Sequence, residues 1–161
     1  MNTREKILSR DELRAPLERH RGAGKQIVLA NGIFDILHVG HVRYLEGAKR
    51  EGDILVVAVN SDASATRLKG PGRPVLDQQA RAQLVAALGC VDYVTIFDES
   101  TVEPLLEALR PHVHSKGTDY TPDTVPERHA AQRIGARVAI VGDPKQHSTT
   151  DLIQQVRRRN G

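Results

Sequence analysis

Residues 31–44 read Asn-Gly-Ile-Phe-Asp-Ile-Leu-His-Val-Gly-His-Val-Arg-Tyr. His38 and His41 flank Gly40, after an apolar, strand-like run and at the start of a helix-like one. A strand that turns directly into a helix leaves several backbone N–H groups unpaired at the helix N-terminus. Those groups and the positive end of the helix dipole attract phosphate. Imidazoles there can donate to phosphate oxygens, and a glycine between them lets a ligand approach the backbone. Two other readings stand beside this one: two histidines sharing a helix face, or half of a metal site. A zinc pair needs further ligands, yet no cysteine joins these histidines locally and no glutamate follows the first as in H-E-x-x-H.

Further polar clusters follow. Asn60-Ser61-Asp62 reads as an N-cap for a short helix through Ala65, and Asp62 could also serve a ligand. Arg67, Lys69 and Arg73 lie among Gly70, Pro71, Gly72 and Pro74, a shaped loop whose cations could neutralise a polyphosphate. The alternative is an ordinary basic surface loop. Lys116-Gly117-Thr118-Asp119-Tyr120 follows a short strand-like run, and Ser148-Thr149-Thr150 opens the last helix as caps, nucleotide contacts or both. Asp143-Pro144 reads as a turn. This set fits in-line attack of a phosphorylated substrate on the α-phosphorus of a nucleotide, with pyrophosphate leaving. Such chemistry asks for positioning and charge neutralisation more than for a nucleophilic side chain. No G-x-x-x-x-G-K-[ST] loop is present, which argues against a P-loop kinase.

The elements that must position these residues alternate. Ile27 to Ala30 reads as a buried strand and residues 39–51 as a helix stopped by Gly52. Ile54 to Val59, almost continuously apolar, is a strand covered on both faces. Residues 77–88 are helical with Asp77 as N-cap, Val91 to Phe97 a strand, and residues 101–109 a helix. His112 to Ser115 is a short strand, residues 127–134 a helix, Val138 to Val141 the last strand and residues 149–159 the last helix. Alternating strands and helices predict an α/β fold, a doubly wound parallel sheet with helices on both faces. Ligands then bind at the carboxyl ends of the strands. The segments after Ala30, Val59, Ser115 and Val141 are expected to line one crevice. Residues 1–25 read as a polar, partly helical arm. Ser9 and Glu12 have capping-box spacing and Leu13 and Leu17 share a face, but Pro16 conflicts with a continuous helix. Residues 26–161 then form the catalytic domain.

The 161 residues fit one domain with a core large enough to need no metal or disulfide. The single cysteine, Cys90, sits between apolar neighbours as a small core residue and suits a reducing compartment. No stretch approaches the roughly 18 apolar residues of a membrane span, and the polar N-terminus carries no signal-peptide core, so a cytoplasmic protein without membrane contact is expected. The net charge of +3 is mild, and part of it is Arg157-Arg158-Arg159 at the end of the last helix. No aromatic residues interleave with the basic ones, which argues against nucleic-acid binding.

Phe34-Asp35-x-x-His38-x-Gly40-His41 resembles the signature of the HxGH nucleotidyltransferase superfamily. Val59-Asn60-Ser61-Asp62, Arg67-Leu68-Lys69-Gly70, Arg73-Pro74, Lys116-Gly117-x-Asp119-Tyr120 and Ser148-Thr149-Thr150 follow in order. Together they resemble the D-glycero-β-D-manno-heptose 1-phosphate adenylyltransferases of bacterial lipopolysaccharide synthesis, over about residues 25–157. The resemblance implies a Rossmann-like sheet in order 3-2-1-4-5, ATP with Mg²⁺, no protein-held metal, and ADP-heptose and pyrophosphate as products. It implies that His38, His41 and Lys69 act on the phosphates. Asn31, Gly32, Phe34, Gly40, Arg81, Ser148, Thr149 and Thr150 would contact the nucleotide. Asp35, Asn60, Asp62, Arg73, Lys116 and Asp119 would arrange the sugar phosphate. It further implies a homodimer or higher oligomer, and a separate kinase that makes the heptose 1-phosphate. Two departures stand out: Ile33 replaces a cysteine common in relatives, and His147 precedes the Ser-Thr-Thr run.

Two competing functions remain at this stage. One is a cytidylyltransferase for glycerol 3-phosphate or another alditol phosphate, against which the heptose-like loops weigh. The other is a nucleotide-binding regulator without catalysis, against which the intact histidines and Lys69 weigh.

Overall fold

The computed structural model describes residues 1–144 and 148–161; His147 lies outside the described residues. The chain runs α1 (Thr3–Lys6), α2 (Arg10–Gly22), β1 (Ile27–Gly32), α3 (Val39–Arg50), β2 (Ile54–Asn60), α4 (Asp62–Lys69) and α5 (Gln78–Ala86). It continues with β3 (Tyr93–Phe97), α6 (Glu103–Leu109), β4 (Val113–Lys116), α7 (Arg128–Arg133), β5 (Arg137–Ile140) and α8 (Thr149–Asn160). All strand pairs are parallel and the sheet order is β3-β2-β1-β4-β5, as the alternation and the resemblance implied. The winding direction reverses between β1 and β4, where Val28 pairs with Val113 and Ala30 with Ser115. That reversal opens a crevice at the carboxyl edge of the sheet.

The period-2 alternation of β1 and β2 builds two cores. Val28, Ala30, Leu55, Val57 and Val59 pack against Leu45 and Ala48 of α3 and Ala82, Val85 and Ala86 of α5. Ile27, Leu29, Val56 and Ala58 pack against Leu13 and Leu17 of α2 and Leu105, Leu106 and Leu109 of α6. Helices therefore cover both faces, which explains why β2 carries almost no polar residue.

The first 25 residues differ from the expected arm. They belong to the second core, and α2 runs unbroken through Pro16. An interior proline costs about 3 kcal/mol or more. Burying Leu13 and Leu17, both almost wholly inaccessible, contributes roughly 1.5–3 kcal/mol each and offsets that cost. The Ser9–Glu12 capping box fixes the start of α2. His20 Nε2 meets the Tyr93 hydroxyl at 3.0 Å, and Arg21 donates to the Leu109 carbonyl, tying the far end to the sheet and to α6. A second capping box, Asn2 with Glu5, starts the short α1, and Ile7 then bridges to Val94 beside β3.

Two local features prepare the site. Phe34 and Ile36 adopt left-handed backbone conformations, at φ 53° and 49°, in the loop that joins β1 to α3. Non-glycine residues there carry strain of about 1–3 kcal/mol each, which the surrounding structure must hold. At the far wall Gly142 has φ +91°, and a Cβ on it would come within 3.3 Å of the Tyr44 backbone. Only glycine lets β5 and α3 close this side.

Candidate active site

The crevice encloses about 520 Å³ at the carboxyl ends of the strands. Every strand delivers residues to it: residues 31–35 after β1, Asn60 at the end of β2, Phe97 with residues 100–102 after β3, residues 116–120 after β4 and 141–144 after β5. His38, Gly40 and His41 at the start of α3, Lys69 at the end of α4, Arg73, and residues 148–150 at the start of α8 complete the lining. No helix among the described residues is long and apolar enough to cross a membrane.

The two histidines build the start of α3 themselves. His38 is the N-cap; its Nδ1 accepts from the Gly40 N–H at 3.1 Å, and His41 Nδ1 accepts from the His38 N–H at 3.3 Å. Their rings stack at 3.8 Å between centroids, and Phe34 packs edge-on against His41 at 5.4 Å. An imidazole nitrogen that accepts carries no proton. In the neutral rings the proton therefore sits on Nε2, at the side of each ring away from the cap. The motif thus sets the tautomer along with the position of two imidazoles that line the crevice.

Opposite them lies a network of satisfied polar groups. Asp35 is 1% exposed; its Oδ1 accepts from Leu76 N–H at 3.0 Å, and its Oδ2 from Val75 N–H at 2.8 Å and Arg73 Nε at 3.2 Å. Arg73 reaches on to Thr150 Oγ1 at 3.4 Å, and the Thr149 hydroxyl donates to the Asp35 carbonyl. Ser148 caps α8 by accepting from Asp151 N–H at 3.0 Å. These groups, expected to touch substrate or nucleotide, line the crevice and at the same time clamp the loop at 73–76 to α8. Lys69 is exposed on the lining and makes no ion pair among the described residues.

Two expected site residues stand elsewhere. Arg81 is wholly buried and is not on the crevice wall. It donates to the carbonyls of Leu76 (2.9 Å), Ile33 (2.7 Å) and Asn60 (2.7 Å) and to Asp62 Oδ1 (2.8 Å). It is a strut behind the loop that follows β1, and the nucleotide role expected for it is corrected accordingly. Asp62 is its carboxylate partner and likewise lies off the crevice wall, with its side chain partly exposed. Asn60 remains on the wall, with its amide nitrogen donating to Ser64 Oγ at 2.9 Å. Ile33, the cysteine replacement, lines the crevice and gives its carbonyl to Arg81. Cys90 is half-buried against the first core, and burial pushes its thiol pKa up, as suits a packing residue.

The β4 side is different in character. His114 is fully buried; burial, with the Lys116 charge second, lowers its pKa to about 3. The ring is therefore neutral, and its Nε2 holds Asn31 Oδ1 at 3.0 Å, orienting a crevice residue. Burial also pulls the Lys116 pKa below its ordinary value, against an opposing contribution from Glu127. Lys116 Nζ sits 4.6 Å from the centre of the Tyr120 ring, a cation–π contact. Tyr44 donates its hydroxyl to the Ser115 carbonyl at 2.8 Å, and burial drives its pKa up, so the phenol stays neutral.

Residues 29–158 match the family model described as cytidylyltransferase-like. The chain belongs to the cytidylyltransferase-like family. It is a nucleotidyltransferase. Among curated relatives, it is 49% identical over 151 residues to the bifunctional protein HldE of Syntrophotalea carbinolica and 48% identical over 156 residues to that of Geobacter metallireducens. Those alignments cover 94% and 97% of this chain, but the chain spans only about a third of the relatives' length (31% and 32%). Among solved structures, the lipopolysaccharide core biosynthesis protein of Thermoplasma volcanium superposes with a TM-score of 0.64 at 29% identity, covering 76% of this chain and 100% of that one. Pantothenate synthetase from Thermus thermophilus, at 21% identity and TM-score 0.62 over 89% of this chain and 63% of its own, shares the fold.

Several members of this family site escaped the sequence reading. Ser100, Thr101 and Val102 follow β3, and the rule of strand ends would have reached them. Arg43 and Tyr44 lie on α3 beyond the histidines, where helical spacing from Gly40 turns them to the same wall. Glu127 lines the crevice from just before α7, and no spacing signal links it to β4.

Proposed function

We propose that the chain transfers AMP from ATP to a sugar 1-phosphate, with D-glycero-β-D-manno-heptose 1-phosphate as the acceptor, giving ADP-heptose and pyrophosphate. The observation that carries this reading is the pair of stacked histidines, their Nδ1 atoms held by the α3 cap, sharing one crevice with Lys69 and Lys116. A non-bridging phosphate oxygen of the acceptor attacks the α-phosphorus in line. The new O–Pα bond forms as the bond from Pα to the β-bridging oxygen breaks, and the electron pair leaves on pyrophosphate. The histidine Nε2–H groups donate to phosphate oxygens as charge grows on them, and Lys69 approaches from the end of α4. Ser148, Thr149 and Thr150, next to the Asp35–Arg73 clamp, hold the nucleotide side. Asp119 and Lys116 serve the acceptor side.

Mg²⁺ fits this site as part of the ATP complex. No group of three or more His, Cys, Asp or Glu side chains suited to a metal occurs among the described residues. Bound with ATP, Mg²⁺ would neutralise triphosphate charge. The sugar 1-phosphate comes from a kinase acting on the free sugar or its phosphate. The resemblance of the Arg-Leu-Lys-Gly and Lys-Gly-x-Asp-Tyr segments to the heptose enzymes supports the choice of sugar.

The test is a matrix of nucleoside triphosphates against sugar and alditol phosphates, read as pyrophosphate release with Mg²⁺. Turnover confined to ATP and heptose 1-phosphate is the expected result. Turnover with CTP alone, or with glycerol 3-phosphate alone, replaces the assignment. Tight ATP binding with no turnover on any acceptor points instead to a regulator.

A further inference from the structure

Glu127 is 5% exposed, lines the crevice, and has one carboxylate oxygen, Oε2, with no hydrogen-bond partner among the described residues. It is the N-cap residue of α7, yet its side chain makes no cap bond to the helix amides. The donors nearest in character are engaged elsewhere: the Tyr44 hydroxyl donates to the Ser115 carbonyl, and Arg128 donates to the Val125 carbonyl. Lys116 is 8% exposed and feels the Glu127 charge, but the two form no ion pair. A buried carboxylate and a buried ammonium thus line the same crevice without forming an ion pair. A buried acceptor left unpaired is destabilising, so the arrangement fits a ligand that brings its own donors.

We propose that Glu127 is a specificity-determining residue that accepts hydrogen bonds from hydroxyl groups of the acceptor sugar while Lys116 draws in its phosphate. This rests on the sugar-phosphate reading above and assigns the sugar end of that site. Its consequence concerns charge. A carboxylate at the sugar end welcomes hydroxyls and repels a second phosphate, so the site selects a polyhydroxylated monophosphate against a bisphosphate.

The experiment compares wild type, Glu127→Gln and Glu127→Asp with saturating ATP and Mg²⁺. The acceptors are D-glycero-D-manno-heptose 1-phosphate and the corresponding 1,7-bisphosphate. Wild type is expected to favour the monophosphate. Glu127→Gln is expected to raise the monophosphate KM about 10–100-fold, to leave the KM for ATP unchanged, and to narrow the preference over the bisphosphate by about tenfold. Glu127→Asp, which keeps the charge on a shorter stem, is expected to keep the preference while raising KM less. If Glu127→Gln folds poorly, Glu127→Asp still tests the contact: an unchanged monophosphate KM in that folded variant, whose shorter stem withdraws the carboxylate, overturns the inference. An unchanged monophosphate KM and an unchanged preference in a folded Glu127→Gln enzyme overturn the inference. Absence of turnover by wild type with any sugar phosphate overturns the parent reading and this inference with it, and is distinguished because it appears without any substitution.

Discussion

Arg81 and Lys116 are both buried cations at the carboxyl edge of the sheet, and they are built in opposite ways. Arg81 is wholly inaccessible and its guanidinium meets three carbonyls and a carboxylate, all at 2.7–2.9 Å. Lys116 is nearly as buried, but among the described residues its ammonium has an aromatic face at 4.6 Å, the field of a carboxylate that does not touch it, and no hydrogen bond. The planar fork of arginine suits a fixed set of acceptors, while a lysine ammonium is a point charge on a flexible stem. A buried charge whose donors are all engaged holds the fold together. A buried charge left with unmade bonds is poised for a ligand.

The largest expected effect comes from breaking the satisfied member. Arg81→Met leaves three carbonyls and Asp62 without their donor, and stability should fall by about 3–5 kcal/mol in chemical denaturation. If the variant melts like wild type but loses ATP binding, the comparison is wrong and Arg81 belongs to the site. Lys116→Met removes a desolvated charge that has no hydrogen bond to lose among the described residues. Stability should stay within about 1 kcal/mol of wild type or rise. The kcat/KM for the acceptor should fall roughly 100-fold, in line with loss of a charged contact to substrate. A variant destabilised by several kcal/mol whose folded fraction keeps a near-native kcat/KM would make Lys116 another strut.

His114 sharpens the contrast through pH. Its folded pKa, about 3, lies below the unfolded value of 6.5, so folding holds it neutral. The stability it contributes is complete above pH 6.5 and is lost as pH falls from there toward about 3. Between pH 6.5 and about 5.5 the loss should be about 1 kcal/mol. His114→Gln keeps a donor toward Asn31 and should flatten that slope in denaturation curves taken across the range. An unchanged slope would mean that the imidazole is not held neutral by burial.

The sheet was legible because parallel strands leave a strong trace. The apolar run of β2, the polar clusters at each strand end and the capping box at Ser9 are local signals, and each element they marked is present. Leu13 and Leu17 were visible as one face of a helix. What stayed hidden was that their burial outweighs Pro16, since a sequence does not show what a face packs against. The crevice was legible at the level of loops and less so at the level of roles. The family resemblance implied site roles for Asp35 and Arg81, and a sequence does not show which other groups hold them. Their engagement depends on partners 40 residues away for Asp35 with Val75, and 48 away for Arg81 with the Ile33 carbonyl. Glu127 gave no signal at all, because its relation to Lys116 exists only once α7 packs against β5 and α6.

The account stands on transfer at the α-phosphorus, driven by donors that the α3 cap holds in place. The direct measurement follows the label from α-³²P-ATP and, separately, γ-³²P-ATP in wild type and His41→Ala, with heptose 1-phosphate as acceptor. The α label should appear in the sugar nucleotide and the γ label in pyrophosphate. His41→Ala should lower kcat by roughly 10²–10⁴ while melting close to wild type. Transfer of the γ label to the sugar, or a folded His41→Ala enzyme with near-native kcat, would contradict it.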